Sequence, residues 1–115
     1  MTNYQRGSAI ERRAKKELEI HGWLVTKSGG SLGEFDLVAL KKLPKGAARQ
    51  ETSGILLLQV KSGRTSISLN QRIREARRAI EAIPFDLAAH IQVWGWLHRR
   101  GWTKFERTTD GWREL

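Results

Sequence analysis

Two short apolar runs dominate the hydrophobic pattern, Glu-Phe-Asp-Leu-Val-Ala-Leu at 34–40 and Gly-Ile-Leu-Leu-Leu-Gln-Val-Lys at 54–61. Bounded by glycine, proline and charged residues, such runs read as buried strands rather than helices. Side chains alternate along a strand, so Glu34, Asp36, Val38 and Leu40 share one face of the first and Ile55, Leu57, Gln59 and Lys61 one face of the second. An antiparallel hairpin that sets Leu40 opposite Ile55 and Val38 opposite Leu57 also sets Asp36 opposite Gln59 and Glu34 opposite Lys61. A slip of one residue would turn the apolar set to the other face, so the core favours this register.

The rest of the chain patterns around that hairpin. Residues 1–7 read as a short basic, polar arm, and Ser8 with Glu11 as a capping box that opens a helix with Ile10, Ala14 and Leu18 as its apolar stripe. Gly22 is a natural helix stop, Trp23 to Lys27 a first strand, and residues 28–33 a Ser/Gly turn. Residues 41–53 hold Pro44, Gly46 and three basic residues besides Lys41, without periodicity, and read as a long loop. Leu69, Ile73, Ala76, Ile80 and Ile83 then repeat at helical spacing up to Pro84. Alternation returns at 88–97, with Ile91, Val93 and Gly95 on one face and Gln92, Trp94 and Trp96 on the other, followed by turns at 98–101 and 110–111. The order is helix, three strands, helix, then two or three strands. It predicts an α/β fold in which a central mixed sheet is flanked by helices, within a single domain over residues 1–115.

Charge narrows the partner. Twenty-one basic against 12 acidic residues give +9, which points to a polyanion, nucleic acid foremost. The absence of cysteine excludes disulfides and thiolate metal sites. With no apolar run of spanning length and no leader pattern, an intracellular, cytoplasmic protein without a membrane partner is expected, of cellular or viral origin.

The hairpin end carries the candidate chemistry. Asp36, Gln59 and the Val60 carbonyl are oxygen donors for a hard cation such as magnesium, and Lys61 beside them would orient a water or steady charge on a phosphate. Glu11 stands at the margin of the first helix's buried stripe and could join them. Together these suggest metal-assisted phosphodiester hydrolysis.

Asp36 followed by Gln59-Val60-Lys61 after an apolar strand resembles the D…(E/Q)-x-K motif of the PD-(D/E)XK nuclease superfamily. Arg6-Gly7-Ser8-Ala9-Ile10-Glu11-Arg12, Gly-Trp-Leu-Val at 22–25, the turn at 28–31 and Phe35-Asp36-Leu37-Val38-Ala39-Leu40 more narrowly resemble archaeal-type Holliday junction resolvases, over Gln5 to Ser62. The resemblance implies a restriction-endonuclease-like core and a homodimer that binds four-way DNA junctions in recombination and repair and makes paired nicks with magnesium, or manganese in its place. On this resemblance Glu11 matches the helix glutamate, Asp36 the metal-binding aspartate, Gln59 a position usually held by glutamate, Lys61 the catalytic lysine, and Ser31, or else Ser28, a serine of the turn. Two departures stand out. Gln59 removes a negative charge, and Glu34 replaces a proline, so Glu34 is expected to restore the missing carboxylate.

Plainer readings compete with these. Glu11 serves equally as the reciprocal partner of a Ser8 cap, Lys61 as a strand end paired with Glu34, and the two serines as ordinary turn residues. His21, His90 and His98 lack ligand spacing, and Trp94, Trp96, Trp102 and Trp112 could stack on splayed bases but better suit core or dimer contacts, the strand of Trp94 and Trp96 being a candidate interface. Arg6, Arg12, Arg13, Lys15, Lys16, Lys27, Arg64 and Arg72 are expected on DNA phosphates. Another nuclease of the superfamily, serving repair or defence, and a noncatalytic DNA-binding module are the alternatives.

Overall fold

A computed structural model describes residues 3–28, 34–43, 54–84 and 86–115, with side chains described from residue 7. Its elements run α1 (Asn3–Ile20), β1 (Trp23–Lys27), β2 (Leu37–Lys41), β3 (Ile55–Gly63), α2 (Ser66–Glu81), β4 (His90–Leu97), β5 (Gly101–Thr108) and β6 (Gly111–Glu114). This is the expected order. The strands form one six-stranded sheet in chain order. Every neighbouring pair is antiparallel except β3 and β4, which run parallel. Parallel neighbours require a crossover, and α2 supplies it.

The β2–β3 register is the one the apolar pattern predicts, with Val38 opposite Leu57 and Leu40 opposite Ile55. Alternation then divides the core in two. Leu56, Leu58 and Val60 join Leu37, Ala39, Val25 and Trp94 beneath Ala14 and Leu18 of α1. Leu57 turns to the opposite face, where Ile91 and Val93 meet Leu69, Ile73, Ala76 and Ile80 of α2. Leu37, Leu56, Leu58, Ile80 and Val93 are essentially fully buried. Burying each such side chain stabilises the fold by roughly 1.5–3 kcal/mol, so the hairpin is held from both sides.

Three boundaries differ from the pattern. α1 begins at Asn3, so the expected arm is helical backbone from there and Ser8 lies inside the helix, where it cannot be a cap. Gly7 lowers intrinsic helicity by about 1 kcal/mol, but packing of the Ile10, Ala14 and Leu18 stripe outweighs it. α2 begins at Ser66 rather than Leu69, because the Thr65 side chain accepts from Ser68 N–H at 3.2 Å and caps it. β2 begins at Leu37, so Glu34 to Asp36 precede the strand. Most of the expected 41–53 loop, and Ser31, lie outside the described residues.

Polar and aromatic contacts tie α1 to the far strands. Lys104 of β5 lies 2.7 Å from Glu17 and 4.0 Å above the Trp94 ring, and Trp102 meets both Trp94 and Trp96 edge-on. Trp94 is 3% exposed beneath α1, so of the uses expected for it this residue serves the core. Among the described residues no helix is long and apolar enough to cross a membrane.

Candidate active site

The site forms where β2 starts and β3 ends. Asp36 N–H donates to Leu58 O at 2.9 Å, one residue short of Gln59, the partner a continued register would give. Phe35, buried on the α2 side together with Val38 and Leu57, confirms that alternation breaks at Asp36. Such a local departure from the ladder re-aims a side chain, and here the Asp36 carboxylate turns back onto β3, where Oδ2 accepts from Val60 N–H at 2.7 Å. Ser28 completes the clamp. Its N–H donates to Asp36 O at 3.1 Å and its hydroxyl donates to Phe35 O. Backbone donor, backbone acceptor and carboxylate of one residue are thereby fixed by two segments, β3 and the residue that follows β1.

Gln59 is buried at 8% exposure, and an amide in that setting needs partners. With the amide oriented to suit its neighbours, its nitrogen donates to the Glu34 carbonyl and its oxygen accepts from Lys61 Nζ at 3.1 Å. Glu34 itself is exposed, and it is the carbonyl rather than the carboxylate that meets Gln59. This explains an amide at position 59 without reference to metal, because a carboxylate could hold the lysine but could not donate to the carbonyl.

Burial pushes the Asp36 carboxyl above its ordinary value, against the opposing pull of the Val60 N–H, Lys61 and Lys27. Lys27 is shared with α1, since its Nζ lies 3.5 Å from Glu11 Oε2. The helix glutamate thus reaches the site through a lysine and not by direct contact with Asp36. Among the described residues no three acidic or histidine side chains gather closely enough to hold a metal ion. Magnesium nevertheless suits a site with one carboxylate when substrate phosphate and water complete its shell. The partly desolvated Asp36 carboxylate would be a donor of that kind, with the Val60 carbonyl and Gln59 as the neighbouring oxygens.

Lys61 opens onto a cleft of about 700 Å³ lined also by Arg64, Ser68, Arg72, Trp96 and His98. Arg72 is braced by donating to Ser62 O at 2.7 Å. A smaller hollow of about 420 Å³ lies along α1 between Arg12, Arg13 and Lys16. Of the expected DNA contacts, Arg64 and Arg72 thus face one cavity and Arg12, Arg13 and Lys16 another; Lys27 is engaged by Glu11, Lys15 is half-buried, and the Arg6 side chain lies outside the described set. His98 was not expected at the site, and Trp96 only as one of four tryptophans able to stack on splayed bases. The signal for Trp96 was its strand: parallel pairing of β4 with β3 sets Trp96 beside Ser62, one residue beyond Lys61.

No protein-family model and no curated protein matches the sequence. Among solved structures, the chain is similar to the 1.6 Å structure of Archaeoglobus fulgidus Hjc, a Holliday junction resolvase from an archaeal hyperthermophile, with 20% sequence identity, 96% of this chain and 83% of that chain covered, and a TM-score of 0.48.

Proposed function

We propose that the chain is a magnesium-dependent endodeoxyribonuclease that cuts branched DNA, with four-way junctions as its substrate and a symmetric dimer as its working form. One observation carries the nuclease reading: the break in the β2–β3 ladder at Asp36 sets its carboxylate on the N–H of Val60, the residue before Lys61, beside a basic cleft. The motifs over Gln5 to Ser62 support the junction preference and the dimer, because two equivalent sites related by a two-fold axis suit two strands of one junction.

Magnesium at Asp36, with Val60 and Gln59 as further oxygen donors, would supply an acidified water and neutralise phosphate charge. Everything else falls to the chain. The +9 charge draws in the polyanion, and Arg64 and Arg72 hold phosphates in the cleft. Lys61, steadied by Gln59, presents its ammonium to the charge that builds on the phosphate during attack. Asp36 is pinned by Val60 N–H, so its free oxygen keeps one position.

Cleavage of a four-way junction, a flap and a linear duplex of matched sequence, each with magnesium, tests the reading. Paired nicks in the junction and none in the linear duplex are expected. Equal cutting of all three retains the nuclease and removes junction selectivity; binding without cutting leaves a noncatalytic DNA-binding module. Light scattering at micromolar concentration is expected to give twice the chain mass, and an active monomer would reject the dimer.

A further inference from the structure

The cleft beside Lys61 has an aromatic wall as well as cations. Trp96 is half-buried, lines the cleft and carries the Arg13 guanidinium 4.4 Å from its ring centroid. The indoles of Trp94 and Trp112 hold their N–H groups on Gln92 and Glu81, whereas among the described residues the Trp96 N–H has no acceptor. Trp94 is sealed in the core, so Trp96 is the tryptophan of β4 that reaches the cleft. A phosphate alone needs cations; an indole with a guanidinium over its ring adds a π surface, and nucleobases stack on both groups.

We propose that Trp96 and Arg13 form a seat for an unpaired base, with Arg64 and Arg72 on the phosphates of the same strand, so that the cleft takes a base splayed from its stack at the branch point. The proposal rests on the nuclease reading for the identity of the strand and extends it to what the protein recognises. Cations along the backbone combined with aromatic contact to bases is the arrangement that binds single strands without reading sequence. A continuous duplex keeps its bases stacked on one another and offers none to the indole. Selectivity for branched DNA then arises in the cleft itself, because only a branch supplies a base free to leave its stack. The Arg13 contact also joins this cleft to the α1 hollow that Arg13 shares with Arg12 and Lys16, which gives the adjoining backbone a place to continue.

The test uses the full chain in EDTA, so that binding is read apart from cutting. The probe is a flap oligonucleotide with 2-aminopurine at its first unpaired position, alongside the same label inside a duplex. Wild type is expected to quench the flap label several-fold and leave the duplex label unchanged, and Trp96→Ala to bind the flap about tenfold more weakly, within the range for one stacked base, with duplex affinity unaltered. An unquenched flap label in wild type, or equal affinity losses on flap and duplex, overturns the proposal. Should Trp96→Ala fail to fold, the wild-type quenching decides alone. Quenching without metal-dependent cleavage would remove the nuclease reading and keep the seat; cleavage without quenching would do the reverse.

Discussion

The carboxylate of Asp36 accepts a hydrogen bond from the backbone N–H of Val60 at 2.7 Å, joining the start of one strand to the residue between Gln59 and Lys61 of the next. Burial meanwhile holds its carboxyl above the ordinary value near 3.8. A raised carboxyl contributes stability that is complete below its unfolded pKa and lost as pH rises through the folded value. At neutral pH the ionised Asp36 therefore costs stability. Asp36→Asn, whose amide oxygen still accepts from Val60, is expected to melt higher than wild type, with the difference growing from pH 4 to pH 7 in calorimetry. Magnesium is expected to narrow the gap by raising wild type alone. An unchanged gap with metal would place the ion elsewhere.

Cleavage needs the ionised form, so its rate is expected to climb with pH from the acid side with a midpoint above 3.8. A pH profile of single-turnover nicking measures it.

Gln59 and Glu34 separate two roles for charge. Gln59→Glu adds a carboxylate beside Asp36 and lowers the magnesium concentration needed for half-maximal cleavage, while losing the donor to the Glu34 carbonyl, at about 1 kcal/mol in urea unfolding. Glu34→Gln keeps that carbonyl, and its magnesium requirement is expected to match wild type. A weaker metal response in Glu34→Gln would make its carboxylate a ligand after all.

Gly63 and Gly7 predict opposite signs. A Cβ at Gly63 would sit 2.9 Å from Leu69 N and Cβ, so the first turn of α2 must shift; Gly63→Ala is expected to destabilise by roughly 1–3 kcal/mol and to weaken DNA binding in the adjoining cleft. At Gly7 the same methyl meets nothing within 4 Å and helix propensity gains, so Gly7→Ala is expected to stabilise by up to about 1 kcal/mol. Chemical denaturation of the pair checks both.

Arg72 is expected to act as a phosphate contact. Arg72→Gln should weaken junction and duplex binding alike and reduce the slope of log affinity against log salt by about one. Fluorescence anisotropy between low and moderate salt reads the slope.

The sequence carried the sheet better than its edges. Period-two alternation around Leu57 and Val38 determined the β2–β3 register and so the meeting of Asp36 with the Gln59 to Lys61 segment, because one wrong step would expose the core. Helix starts were less legible. Ser8 with Glu11 satisfies a capping pattern, but packing of Ala14 and Leu18 carries α1 past it to Asn3. The break in alternation at Asp36 was hidden, since it follows from Phe35 finding the α2-side core, a tertiary contact that no local pattern records. That Gln59 also braces Lys61 against the Glu34 carbonyl was hidden, since it required knowing where that carbonyl lies. Trp96 entered the cleft only through the parallel β3–β4 pairing.

Nicking of a synthetic four-way junction by wild type and Asp36→Asn, with and without magnesium, tests the central claim most directly. Symmetric paired nicks that require magnesium and fall at least about a hundredfold in the variant are expected. Undiminished nicking by a folded Asp36→Asn protein, or wild-type nicking that persists in EDTA, would contradict the assignment of Asp36 as the centre of a metal-dependent nuclease.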